Sequence, residues 1–181
     1  MPIVRAYEDR DRDAVVEIVR SVFDEYGFIW EPEGYNRDLF EVPQRYQHAN
    51  AEFFVAELDG AVVGCGGVRY VPTVPGRPGA LTDDQYPRIR GCDCELVRLY
   101  VHARGRRQGV GTALFSRIVA AALRRGCVRM EIWSDRLLVD AHRMYERYGA
   151  IRVGTRICPP PDEMPEWGMM LDLADAARRL P

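Results

Sequence analysis

The sequence predicts an α/β protein of the α+β kind, built on one mixed, mostly antiparallel sheet of about seven strands. Three observations carry that prediction. "AEFFVAEL" and "AVVGCGGVRYV" flank Asp59-Gly60, a dipeptide that favours the tight turn of a β-hairpin. "CELVRLYV" and "CVRMEIW" are apolar runs separated by the helical stretch "ALFSRIVAAALRR". A strand–helix–strand unit of that kind implies a parallel pair. A length of 181 residues, with 47% hydrophobic and 29% charged, suits one domain spanning 1–181.

The elements follow in chain order. "IVRAY" (3–7) reads as a first strand. "DRDAVVEIVRSVFDEYGF" places Val15, Ile18, Val19, Val22, Phe23 and Tyr26 at helical spacing, with acids at its start. Pro32 and Gly34 break it, and a shorter helix is expected within 36–48, perturbed at Pro43. The hairpin comes next. Residues 72–93, rich in Pro, Gly and Asp, read as a long loop whose length suggests function or mobility. A strand at 94–101, a helix at about 109–125 and a strand at 127–133 make the parallel unit. "RLLVDAHRMYERYG" carries Leu138, Ala141, Met144, Tyr145 and Tyr148 at helical spacing and ends at Gly149, with His142 expected on its solvated face. "AIRVGTR" and "EWGMMLDL" close the sheet on either side of "CPPPDEMP", which cannot be regular structure.

Composition removes several function classes. The net charge of −2 argues against a nucleic-acid or anionic-membrane partner. No apolar run is long enough to span a bilayer, and the acidic N-terminus lacks a secretion signal, so a cytoplasmic protein is expected. Every basic residue is arginine; without lysine, neither a P-loop nor a Schiff-base lysine can exist. Cys65, Cys92, Cys94, Cys127 and Cys158 are odd in number and irregularly spaced, which argues against a disulfide framework. Cys92-x-Cys94 could be half of a metal site, but it has no second pair and no nearby His, so no metal is expected.

Residues 104–112, "RGRRQGVGT", hold three arginines and three glycines between a strand and a helix. Gly109 and Gly111 let a ligand approach the backbone, and the first amides of the helix present the positive end of its dipole. Such a junction suits phosphate or pyrophosphate, with Arg104, Arg106 and Arg107 adding charge. It is not a dinucleotide fingerprint: Leu114 stands where a third glycine is needed, and "HARGRRQ" separates the turn from the strand.

"CELVRLYVHARGRRQGVGTALF" resembles the cofactor motif of the GNAT superfamily of acyl-CoA-dependent N-acetyltransferases, [QR]-x-x-G-x-[GA], through Arg106, Gly109 and Gly111. "AHRMYERYGA" (141–150) resembles the second signature of that family, with Ala150 in place of the usual Phe. Leu138 and Asp140 lie where an Asn is often found. The resemblance covers roughly the whole chain. It implies helices on both sheet faces, a splayed parallel pair and acetyl-CoA as co-substrate. It places the pantetheine along the backbone of Leu99, Tyr100 and Val101. The pyrophosphate would sit at Arg106, Arg107, Gln108, Gly109, Val110, Gly111 and Thr112. It also implies direct transfer to the primary amine of a small molecule, amino acid or peptide, and leaves room for a homodimer.

Two proton carriers follow. Glu95 occupies a position used as a base in some members of the family. Strand alternation would put it on one face with Val97, Leu99 and Val101, where apolar neighbours would raise its pKa. Pairing with an arginine such as Arg98 is the alternative for Glu95. Tyr145 matches the helix signature and is the acid for the departing thiolate, or else a core aromatic. Tyr26, Phe28, Trp30 and Tyr35 fall where the family builds one wall of the acceptor site, and Asp83 and Asp84 could attract an ammonium. A non-catalytic acyl-CoA sensor is the competing reading.

Overall fold

The structure is a computed structural model that describes residues 1–47 and 50–181. Its strands are β1 (Ile3–Ala6), β2 (Ala51–Leu58), β3 (Ala61–Tyr70), β4 (Cys94–Val101), β5 (Arg129–Asp135), β6 (Ile151–Ile157) and β7 (Pro165–Asp172). Its helices are α1 (Arg12–Tyr26), α2 (Val110–Arg124), α3 (Val139–Arg147) and α4 (Leu173–Arg179). The sheet has seven strands in the order β1-β2-β3-β4-β5-β7-β6. The β1–β2–β3 and β5–β7–β6 ladders are antiparallel, and β4–β5 is the expected parallel pair.

Two elements differ from the sequence reading. The helix expected within 36–48 is a 3-10 turn at Arg37–Leu39 followed by a π-helical turn at Pro43–Gln47; His48 lies outside the described residues. Pro43 has no N–H to give and disrupts a continuous helix there. The final helix α4 is hidden in the sequence because its apolar residues Leu173 and Ala176 extend the pattern of β7. Asp172 starts it, its carboxylate accepting from the Asp175 amide at 3.0 Å.

The chain packs as two compact units, Met1–Arg69 with Val97–Ile118 and Tyr70–Leu96 with Val119–Pro181. In the first, the β2–β3 hairpin turns at Asp59 and Gly60, both at positive φ (52° and 79°) as a two-residue hairpin turn requires. Along β3, Cys65 joins a core of Val15, Ile18, Val19 and Phe23 from α1. Its neighbours Gly64 and Gly66 face the other way, toward α2. A Cβ on Gly64 would stand 2.9 Å from Leu114 and Val110, so these glycines let α2 lie close to the sheet. Helices therefore cover both faces.

β4 does not alternate as expected. Arg98 sits at φ 52°, a left-handed kink within the strand. Val97 points to Gly67 and the α1 core, whereas Leu99 points to Gly66 and Ile118 on the α2 side. The single face expected to run through Val97, Leu99 and Val101 is broken at that kink.

In the second unit, Met130, Ile132, Met169 and Leu171 are fully buried along β5 and β7. The long segment before β4 is not a loose loop. Leu81 bridges Ile89, Arg90 donates to the Ala80 and Pro75 carbonyls, and the Leu81 side chain packs over Gly154 of β6.

Candidate active site

The Arg/Gly loop lies in the first unit. His102 opens it, its Nδ1 accepting from the Arg104 amide at 3.2 Å. The backbone turns left-handed at Arg107 (φ 59°) and again at Gly109 (φ 80°). The first α2 hydrogen bond runs from the Ala113 N–H to the Gly109 carbonyl at 2.9 Å. Gly109 is thus the last residue before the helix, and the amides of Val110, Gly111 and Thr112 have no acceptor within it. Among the described residues, no atom other than those of Gly109 and its two chain neighbours lies within 4 Å of the place a Gly109 Cβ would take. An exposed backbone cradle at the positive end of a helix dipole fits a diphosphate.

Arg106 is engaged on both sides of the loop. Its Nε donates to the Val101 carbonyl at 3.1 Å, and its two terminal nitrogens grip Glu25 of α1 at 2.7 and 2.6 Å. That bidentate pair holds the Glu25 carboxyl below its ordinary range. Arg104 reaches the Val62 carbonyl at 3.2 Å, and Gln108 donates to the Arg104 carbonyl at 2.7 Å. The arginines brace the loop, while Arg107 and Gln108 are exposed beside Gly109.

The strand feeding the loop is also fixed from its other side. Tyr100 stands edge-on to Phe23 at 6.1 Å. Phe28, Trp30 and Tyr35 gather on the same ring, and Tyr26 stacks on Phe28. The expected acceptor-wall aromatics therefore form one cluster around a core residue. Arg98 caps it, donating to Asp38 at 2.9 and 2.8 Å and to the Tyr35 carbonyl at 2.6 Å, with its guanidinium 4.5 Å above the Tyr35 ring. Tyr46 donates to the same Asp38 carboxylate. Nothing local in the sequence announces this pairing across sixty positions.

Glu95 and Tyr145 belong to the second unit. Glu95 pairs in register with Glu131 of β5, so the two carboxylates share a sheet face. Glu131 is 1% exposed and is held by three donors: Arg88 Nε at 2.7 Å, the Ile89 amide at 2.8 Å and Trp133 Nε1 at 3.3 Å. Sequence reasoning missed it, although a lone carboxylate in the apolar run "CVRMEIW" is the same signal that singled out Glu95. Tyr145 is buried in α3, and burial pushes its phenol above the ordinary 10, keeping the proton on. His142 is not on a solvated face: it is 2% exposed, with Nε2 3.0 Å from Ser134 Oγ. Asp83 and Asp84 are exposed at the tip of the long segment.

The seven-stranded sheet, the helices on both faces and the braced glycine loop define a class: an acyl-CoA-binding acetyltransferase fold. Residues 15–150 match the Acetyltransferase (GNAT) family, and the chain belongs to it. A curated relative, the uncharacterized N-acetyltransferase YjgM of Escherichia coli (strain K12), is 26% identical over 151 residues, 82% of this chain and 81% of that protein. Among solved structures, an acetyltransferase of the GNAT family from Staphylococcus aureus Mu50 superposes with a TM-score of 0.74 at 13% identity, covering 96% of this chain and 99% of its own. YncA from Salmonella typhimurium, solved with its cofactor acetyl-CoA, gives 0.65 at 19% identity, covering 96% and 94%. These likenesses show the fold. Among the described residues, no helix is long and apolar enough to cross a membrane.

Proposed function

We propose that this chain moves an acetyl group from acetyl-CoA directly to a primary amine of a small molecule, amino acid or peptide in the cytoplasm. The observation that carries the reading is the loop of residues 104–112: open at Gly109, braced by Arg106 and leading into the first turn of α2, inside a span that matches the family. Acetyl-CoA supplies the acetyl group as a thioester. The amides of Gly109 to Thr112 bind its diphosphate, with Arg107 and Gln108 beside them. Backbone groups of Leu99 to Val101 line up its pantetheine arm. Glu95, directly or through a water, takes the proton that an ammonium must lose before its nitrogen can attack. Tyr145, kept protonated by burial, returns a proton to the sulfur as the carbon–sulfur bond breaks.

The test is thiol release from acetyl-CoA across a panel of amines and peptides, followed across pH for the wild type, Glu95→Gln and Tyr145→Phe. Each substitution is expected to lower the rate about 10²–10⁴-fold. Glu95→Gln should act mainly on the acid limb, and Tyr145→Phe should leave acetyl-CoA affinity nearly unchanged. Near-full activity of Glu95→Gln with an unshifted profile would return Glu95 to a structural role. Binding of acetyl-CoA without thiol release for any amine would favour a sensor.

A further inference from the structure

We propose that Asp93, Cys94 and Cys127 form a binding site for one soft divalent cation of the zinc and cadmium type. The three residues come from the start of β4 and the turn before β5, within the second unit. One carboxylate oxygen and both sulfurs lie within 4.8 Å of one another. Two thiolates on a tetrahedral zinc, each about 2.3 Å from the metal, stand about 3.7 Å apart. A disulfide needs its sulfurs at about 2.0 Å. Both cysteines are free, and the 4.8 Å limit admits the zinc spacing, so the cluster with its carboxylate has the make-up of a metal site.

The ligands are held in place before any ion arrives. Asp93 Oδ2 accepts from the Val128 amide at 2.8 Å and Oδ1 from the Arg129 amide at 3.1 Å. The Asp93 backbone is tied on both sides, its N–H to the Arg129 carbonyl at 3.0 Å and its carbonyl to the Val71 amide at 3.1 Å. Cys94 Sγ donates to the Arg129 carbonyl at 3.7 Å, and Cys127 Sγ to the Asp93 carbonyl at 3.9 Å. Cys94 is fully buried, whereas Asp93 and Cys127 are partly exposed and give the ion a way in. No local spacing announces the cluster, which the sequence reading does not expect: Cys127, remote in sequence, supplies the second sulfur.

Binding is an exchange of protons for a cation. Two sulfur–metal bonds and one oxygen–metal bond form, two sulfur–hydrogen bonds break, and both protons pass to the buffer with no change of oxidation state. The fourth tetrahedral position is left to water. Because two protons leave as the ion binds, affinity rises with pH.

The experiment titrates the phosphine-reduced, full-length chain with cadmium or zinc alone. It reads thiolate-to-cadmium absorption, metal-to-protein ratio and proton release, and needs no acetyl transfer. One ion per chain, two protons released and a charge-transfer band are expected. Cys127→Ser should weaken binding by more than the roughly 10–100-fold that loss of an outer-shell partner costs, and Cys158→Ser should leave it unchanged. Asp93→Asn should weaken binding while keeping the band, and it decides the matter if Cys127→Ser fails to fold. No band in the reduced wild type, or a band that survives in folded Cys127→Ser, overturns the proposal.

Discussion

The loop of residues 104–112 and the segment of residues 71–93 both combine arginines with glycines, yet they leave their backbones in opposite conditions. In the first, Arg106 reaches away to Glu25 and Gly109 is open. In the second, Arg88 reaches inward to buried Glu131, and Gly91 lies against the next turn, with Pro78 only 3.1 Å from where its Cβ would stand. Gly91 and Gly109 share nearly the same φ, 81° and 80°. The arginines act as braces in both places. What separates an open loop from a packed one is the backbone left uncovered between the braces.

The largest expected effect breaks that comparison directly. Gly109→Asp or Gly111→Glu should reduce acetyl-CoA affinity by at least about 100-fold in calorimetry, because a carboxylate would stand against the diphosphate. Gly109→Asp should remain folded, since Asp tolerates the left-handed region and the space at Gly109 is open; Gly111 lies in the first turn of α2, where Glu is a better helix former than Gly. Gly91→Asp is the counterpart: it should lower the melting temperature and leave affinity alone. Unchanged affinity in folded Gly109→Asp and Gly111→Glu would place the diphosphate elsewhere.

The next effect sharpens the packed half. Glu131→Gln removes the charge that holds Arg88, whose side chain is 30% exposed, while the carboxylate site itself is 2% exposed. Breaking one member of a buried pair costs about 3–5 kcal/mol, and the exposed fraction of Arg88 puts the expectation at the lower end. Denaturant unfolding should report the loss, and limited proteolysis should cut within 71–93 sooner than in the wild type. A loss below about 1 kcal/mol would mean that the segment is held by its own backbone bonds.

The comparison also explains what the sequence could and could not reveal. The Asp59-Gly60 hairpin, the strand–loop–helix around Gly109 and the helical stripe of α1 are local patterns, and each formed within a residue or two of its expected place. Arg106 is legible as part of a motif, but its partner Glu25 lies 81 positions away. Arg88 finds Glu131 across 43 positions and Arg98 finds Asp38 across 60. Periodicity carries no information about such pairings. The kink at Arg98 was invisible for a related reason: the left-handed backbone is adopted by an arginine rather than a glycine and is accompanied by contacts from distant chain. His142 looks solvent-facing in the sequence, but its helix buries the polar ring against Ser134, a partner on β5.

That ring gives the smallest and most specific prediction, and it asks whether the second unit depends on buried polar groups other than the Arg88 brace. Burial holds the His142 pKa below the ordinary 6.5, with Arg152 adding to the shift and Glu146 opposing it. The folded state therefore prefers the neutral ring. Above pH 6.5 both folded and unfolded chains carry it neutral, and its contribution to stability is fully present. As pH falls below that value the unfolded chain takes up a proton first, so stability declines toward acid until the folded value is passed. His142→Gln should lower stability at every pH by disturbing a packed site, so the absolute value is not the readout. The slope is: unfolding free energy measured just below pH 6.5, where most carboxylates are still ionised, should fall with acid in the wild type and be flatter in the variant. Equal slopes would show that the proton is taken up elsewhere and that the Ser134–His142 pair holds β5 to α3 without sensing pH.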